Sequence, residues 1–331
     1  MTDIIIGVDL GGTQIRAARL DQRLHILTRE QTLTLADQGL EATLDRIKNL
    51  IRAVWPQDGA RVAGIGISAP GPLNPATGII VAPPNLPGWH NVPLRDILQE
   101  AFSVPVYVGN DANVAALAET ARGAAHGFRH VIYITVSTGI GGGVITDGRL
   151  LLGKDGLAAE VGHMVMVVDG TVTTLEKEAA GPALAKQARA QIERGEKSLI
   201  HELVKGDLSQ ISAKTVGQAA EAGDALALEV VRRGGRIVGL GITTLLHLFN
   251  PEIVVIGGGV SKLGELLFAP MREAFQRYTI DTAYWSNLRI ERAALGDDVS
   301  IVGAAALVVT QGGLKEVYQA IAQLDEDEKQ Y

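Results

Sequence analysis

Cysteine is absent from this chain of 331 residues, so it has no disulfide framework, thiol nucleophile or thiolate zinc site. Positive charge is in deficit: 30 Lys and Arg against 37 Asp and Glu leave a formal net charge of −7. That balance argues against broad binding to a nucleic-acid backbone, although a local basic patch is invisible in the sum. No apolar run approaches the roughly 20 residues that cross a bilayer. The opening Met1-Thr2-Asp3, followed directly by Ile4-Ile5-Ile6, lacks the basic start and longer apolar stretch of a secretion signal. The expectation is a cytoplasmic protein with neither a membrane nor a nucleic-acid partner.

Disorder is excluded as well, because 47% of the residues are hydrophobic. Glycine is in excess, with 39 residues, about 12% against roughly 7% in an average chain. It follows no fixed period and therefore points to many tight turns. The length suits about two domains, each able to bury a core. Short β-branched runs at Ile4–Val8, Val62–Ile67, Val104–Val108, His130–Val136 and Ile253–Ile256 read as strands. Apolar spacing of the helical kind falls at Leu40–Val54, Ala112–Arg122 and Ala225–Phe249, the last despite four internal glycines. Strands alternating with helices predict an α/β protein. The segment Ile4–Leu20 is echoed by Val131–Leu150: each has an apolar strand, a small polar residue, a glycine-rich turn and a second strand. The repeat predicts two related lobes with a boundary near Asp111–Gly123. The helix-like segment Ser300–Gln311 is expected to pack back on the first lobe. The run Asp325–Lys329 reads as a solvated charged end.

Three groups of residues carry candidate chemistry. Gly11-Gly12-Thr13 follows a buried strand, and Thr138-Gly139-Ile140-Gly141-Gly142-Gly143 follows another. Such turns let backbone N–H groups converge on an anion, and two of them could clamp a polyphosphate. Either turn alone is equally an ordinary hairpin. The Gly148–Lys154 stretch resembles half a P-loop but ends in Asp155, where a magnesium hydroxyl would be needed. Among acidic residues, Asp9 ends the first strand and could hold Mg²⁺ through water, or simply form a turn. Asp111 could be an N-cap. Yet Asn110, Asp111 and Asn113 place three polar side chains in four positions, and a phosphotransferase needs one carboxylate to accept a hydroxyl proton. A helix N-terminus at Asp111 would favour its ionised form. Glu160 and His163, spaced i, i+3, suit hydrogen bonds to vicinal sugar hydroxyls, or form a plain surface pair.

Taken together, these motifs resemble those of the ROK group of sugar kinases and repressors, within the actin-like ATPase superfamily. The resemblance spans nearly the whole chain: DLGGT at Asp9–Thr13, APGP at Ala69–Pro72, NLPGWHNVPL at Asn85–Leu94, NDAN at Asn110–Asn113, STGIGGG at Ser137–Gly143, EVGH at Glu160–His163 and LEKEAAGPAL at Leu175–Leu184. It implies two actin-like, ribonuclease H-like lobes around a central cleft. One lobe would be residues 1–115, completed by 300–331; the larger would be 116–299. It implies Asp111 as the base for the sugar 6-hydroxyl, with Asn110, Glu160, His163 and Glu176 on the other hydroxyls. Glu176 is preferred over Glu178 because it keeps the spacing to Gly181-Pro182. Gly11, Gly12 and Thr13, with Thr138, Gly139 and Gly141, would cradle the phosphates, Gly258 would border the adenosine, and Asp9 would lie near the metal.

The implied activity is transfer of phosphate from ATP, with Mg²⁺, to an aldohexose, with glucose first and N-acetylmannosamine, N-acetylglucosamine, allose or fructose as alternatives. A homodimer or higher homo-oligomer is also implied. Many family members carry a cysteine cluster that binds structural zinc between the histidine and the later glutamate. Here Met164–Thr174 has no cysteine and is short, so no zinc is expected and another contact must fix His163. Only eight residues precede Asp9, which leaves no room for the helix-turn-helix domain of the family's repressors. A non-catalytic sugar sensor would be expected to lack the base or a phosphate loop, and neither is missing.

Overall fold

The computed structural model describes residues 3–322; the acidic run at 325–329 lies outside them. Two five-stranded sheets organise the chain. The first contains β1 (Ile4–Leu10), β2 (Gln14–Leu20), β3 (Ile26–Leu33), β4 (Val62–Ala69) and β5 (Val106–Asn110), in the order β3-β2-β1-β4-β5. β1 runs antiparallel to β2 and parallel to β4, and β5 extends the parallel part. The second contains β6 (Val131–Val136), β7 (Ile140–Thr146), β8 (Arg149–Leu150), β11 (Ile253–Gly257) and β12 (Arg289–Arg292), in the order β8-β7-β6-β11-β12. The small hairpin of β9 (Val165–Val168) and β10 (Thr171–Thr174) stands apart from both. The order of the first sheet is thus repeated in the second, and the sequence echo of Ile4–Leu20 in Val131–Leu150 extends to whole sheets.

The helices include α1 (Leu40–Val54), α2 (Leu94–Phe102), α3 (Asp111–Arg122), α4 (Leu175–Ala179), α5 (Gly181–Glu193), α6 (Ala213–Glu221), α7 (Ala225–Phe249), α8 (Glu265–Tyr278) and α9 (Val299–Val309). α1 buries Leu44, Ile47, Ile51 and Val54 at i, i+3, i+4 spacing, against Ile4, Ile6, Val8 and Leu10 of β1. α7 is one continuous helix despite its glycines. Gly235 and Gly239 are where α8 comes closest: an added Cβ would lie 2.5 Å from the Leu267 carbonyl oxygen and 2.3 Å from that of Met271. The glycines that weaken the helix locally are those that let two helices touch backbone to backbone.

The chain divides into two compact units. One takes the chain up to Tyr133, then Gly143–Ala159, then Ala293 onward; the other takes Ile134–Gly142 and Glu160–Arg292. Within the first unit, α9 is apolar on every side and buried from Ile301 to Val308. It lies on the sheet face opposite α1, against Gly7 of β1 and Gly66 of β4. A Cβ on Gly66 would sit 1.7 Å from the Ala304 carbonyl oxygen, and one on Gly7 would sit 2.6 Å from that of Ile301. Gly66→Ala is therefore expected to lower stability by about 1–3 kcal/mol or more, the usual cost of overpacking. Gly259, whose added Cβ meets nothing within 4 Å, is the control: Gly259→Ala should stay within about 0.5 kcal/mol. Urea unfolding midpoints of the two variants check this.

Candidate active site

In the first unit, the polar residues gather at the C-terminal ends of β1 and β5. Asp9 precedes the turn Gly11–Thr13, which is closed by the Gly11 N–H donating to the Gln14 carbonyl at 2.9 Å. The Thr34 hydroxyl donates to the Gly11 carbonyl at 2.6 Å, and an added Cβ on Gly12 would lie 3.0 Å from Asn85. The turn is thus held from both sides, and the Asn85–Leu94 stretch is its neighbour. The register of β1 and β2 sets Asp9 directly opposite Arg16. The Arg16 guanidinium donates twice to Asp9 Oδ2, from Nε at 3.0 Å and from Nη2 at 2.6 Å. Both donors meet one carboxylate oxygen, as charge-assisted hydrogen bonds. Sequence reasoning missed Arg16, although a cross-strand pairing of the hairpin would have found it.

Asn110, not Asp111, is the N-cap of α3: its Oδ1 accepts the Asn113 N–H at 2.8 Å. Asp111 is therefore released from capping and occupies the first helical position, where its carboxylate accepts the neighbouring Ala112 N–H at 2.9 Å. The Asp111 side chain is exposed to solvent, while the protein packed around it displaces part of its hydration. That desolvation raises its pKa above the usual 3.8; the Ala112 N–H opposes the rise and the negative charge of Asp9 adds to it. The expectation that the helix N-terminus would favour the ionised form is corrected. The N–H groups act in that direction, but desolvation outweighs them.

In the second unit, the turn Ser137–Gly139 joins β6 to β7. Glu176, in the first turn of α4, places its Oε2 2.9 Å from the Ile140 N–H and accepts it. An added Cβ on Gly139 would lie 2.6 Å from the same oxygen. Glu178 is committed elsewhere, to Arg233 of α7 at 2.8 Å. Glu160 and His163 share one short 3-10 turn, with the His163 N–H donating to the Glu160 carbonyl at 3.0 Å. Gly162 in that turn packs on the start of β7: an added Cβ would lie 1.9 Å from the Ile140 carbonyl oxygen. The turn that carries Glu160 and His163, through Gly162, and the Glu176 carboxylate thus both meet Ile140. The segment between them is the β9–β10 hairpin, turning at Asp169-Gly170 and closed by the Leu175 N–H donating to the Met164 carbonyl at 3.1 Å. Arg233 ties the hairpin tip to α4 by reaching Asp169 at 3.4 Å as well as Glu178.

A cavity of about 950 Å³ opens in the same unit, lined among others by Thr138, Gly259 and the cations Lys186, Arg189, Lys214 and Lys262. Gly259 lies in the lining and Gly258 does not; Gly258 sits at positive φ, 82°, and backs onto the Val136 carbonyl. The cations of α5 and α6 carried no motif and were not singled out from sequence.

The sequence profile described as the ROK family matches residues 5–311. A glucokinase of Thermotoga maritima is 37% identical over 310 residues, covering 92% of this chain and 96% of that protein. A xylose repressor of Caldicellulosiruptor bescii is 30% identical over 315 residues, covering 92% of this chain and 78% of that protein. Among solved structures, a ROK family glucokinase from Streptomyces griseus, in complex with glucose and AMPPNP, is 35% identical with a TM-score of 0.73. It covers 92% of this chain and 98% of that one.

The raised pKa of Asp111 has a measurable consequence. The folded chain binds this proton more tightly than the unfolded chain, so the ionised carboxylate counts against stability above the folded pKa. The cost fades as pH falls toward the ordinary value of 3.8. Asp111→Asn should therefore raise the melting temperature at pH 7, with a gain that shrinks as the pH is lowered. Thermal melts of both proteins across that range check the sign.

Proposed function

The chain belongs to the ROK family, and on that premise we propose that it is an ATP-dependent hexose kinase, a glucokinase, that phosphorylates the sugar 6-hydroxyl. The observation that carries this reading is Asp111. It is a carboxylate freed from capping by Asn110 and partly stripped of water, which lifts its affinity for a proton. A carboxylate so placed accepts the hydroxyl proton as the oxygen attacks the γ-phosphoryl group. The naming of relatives such as the Thermotoga maritima protein as glucokinases supports the sugar, and the AMPPNP held by the Streptomyces griseus enzyme supports the nucleotide.

The remaining roles follow from the family resemblance and from the groups left available. Asn110, Glu160, His163 and Glu176 hold the other sugar hydroxyls. Glu176 spends Oε2 on the Ile140 N–H, and its Oε1 receives no hydrogen bond among the described residues. The same glutamate thus stiffens the second glycine turn and keeps one oxygen for the substrate. Backbone N–H groups of Gly11, Gly12 and Thr13, and of Thr138, Gly139 and Gly141, take the phosphate oxygens. The 950 Å³ cavity with its four cations takes the rest of the nucleotide, bordered by the turn at Gly258-Gly259. The donor set at Asp9 fits Mg²⁺: Arg16 occupies Oδ2, and Oδ1 accepts no hydrogen bond among the described residues. Asp9 would hold the ion through water, and bound Mg²⁺ neutralises charge on the phosphoryl oxygens.

ADP release from ATP and Mg²⁺, measured over a panel of hexoses and N-acetylhexosamines, tests the proposal. Turnover with glucose is expected, falling at least about 10²-fold in Asp111→Ala. Turnover with another sugar alone would replace the substrate and keep the base. No turnover by folded protein that binds glucose would overturn the kinase reading in favour of a sensor.

A further inference from the structure

Glu119 is a carboxylate with no exposure to solvent, two turns along α3 from Asp111. Among the described residues no cation pairs with it. Backbone N–H groups from two distant segments converge on it instead. Oε2 accepts from Ala124 at 2.7 Å and from Ala294 at 3.1 Å; Oε1 accepts from Ala294 and Leu295, both at 3.0 Å. Gly123 is the residue that makes room, since an added Cβ there would lie 2.0 Å from Oε2. A buried carboxylate is costly unless its oxygens are satisfied. Here they are satisfied only if the end of α3 and the 294–295 backbone stay together.

The segment so tied leads into the turn Gly296–Asp298 at the start of α9. The Asp297 carbonyl accepts the third contact of Arg16, from Nη1 at 2.9 Å, and the Asp298 carboxylate pairs with Arg29. Arg16 is thus fixed on two sides: its Nε and Nη2 edge holds Asp9, and its Nη1 is held by the turn. We propose that Glu119 is a positioning residue for the reaction, stapling the helix that carries Asp111 to the turn that orients the Arg16 guanidinium on Asp9. This rests on the kinase reading above for its effect on turnover, but not for its effect on Arg16. All of these groups lie within the first compact unit. Local capping accounts only for the contact with Ala124. Three of the four contacts instead go to a segment about 175 residues later, and that segment's next carbonyl but one grips a side chain of the site.

Glu119→Gln, Arg16→Gln and the double variant of the full chain test this by kinetics and by the NMR resonance of the Arg16 Nε–H. Replacing one carboxylate oxygen by NH₂ sets a donor against backbone donors and frees the turn. Glu119→Gln is expected to lower kcat by about 10- to 100-fold, as misplacements on the ångström scale do, with the sugar KM changed less than about twofold. It is expected to shift the Arg16 Nε–H resonance, and the double variant is expected to be no slower than Arg16→Gln alone. An unmoved Arg16 resonance, or losses that multiply in the double variant, would overturn the proposal. If Glu119→Gln gives no cooperative melt, Asp298→Asn loosens the same turn from its exposed side. The Arg16 resonance must then move, and a resonance that stays in place overturns the proposal here too. Absence of turnover in the wild-type chain would count against the kinase reading and leave the resonance test intact.

Discussion

The α9 backbone lies directly on the backbone of the first sheet. The glycines of β1 and β4 leave no side chain between them and the helix, and the Ala304 carbonyl occupies the place of a Cβ on Gly66. Much of the site geometry depends on that contact. It seats the start of α9 beside the ends of the strands, so that Asp297 and Asp298 reach Arg16 and Arg29. It also lets Gly303 meet Val114 of α3, which fixes the helix carrying Asp111. The opposite face of the sheet is conventional, filled by Ile6, Val8, Ile65 and Ile67 under α1. One face of the sheet is thus built for cohesion, and the other for placing polar groups at a fixed distance.

The proton affinity of Asp111 illustrates how a small change of role alters chemistry. Had Asp111 been the N-cap, its carboxylate would have accepted the N–H groups of the first turn and been held well ionised. Asn110 takes that duty, and the carboxylate one residue on accepts from backbone N–H groups beside it, Ala112 among them. With Asp9 nearby and water partly displaced, the pKa rises above the usual carboxylate value. Arg16 moderates this by neutralising Asp9. Cap, base and ion pair form one electrostatic unit whose parts come from β1, β2 and the β5–α3 junction.

Much of the fold was legible because the sequence is locally consistent. α1 and α7 have the bounds that apolar spacing predicts, and the echo between Ile4–Leu20 and Val131–Leu150, read there as two related lobes, has a counterpart in two sheets of one strand order. The glycine turns and the Glu160–His163 turn were visible as motifs. The choice of Glu176 over Glu178 rested on spacing and gains a physical basis in their partners, Ile140 for one and Arg233 for the other. What sequence could not provide were groups defined by tertiary meeting. Glu119 reads as one more polar residue on an alanine-rich helix until Ala294 and Leu295 are brought to it. The cations of α5 and α6 read as a solvated face until they line a cavity. Which of Asn110 and Asp111 caps α3 stayed open in the sequence because neighbouring Asn and Asp are equally good caps, and geometry chooses Asn110.

The first unit is assembled from three separate stretches of chain, and the stretch from Ala293 onward supplies α9. On a ribosome the sheet strands emerge long before the helix that covers them. Until Val299–Val309 is made, Gly7, Gly66 and the apolar residues beside them face water or whatever else is at hand. Domains generally fold as units during synthesis, but this one must wait until the chain has been made as far as Val309. Quality of production should accordingly depend on the cell's holding machinery more than the stability of the finished protein suggests, and a break in translation before residue 299 would leave a sheet with one bare side.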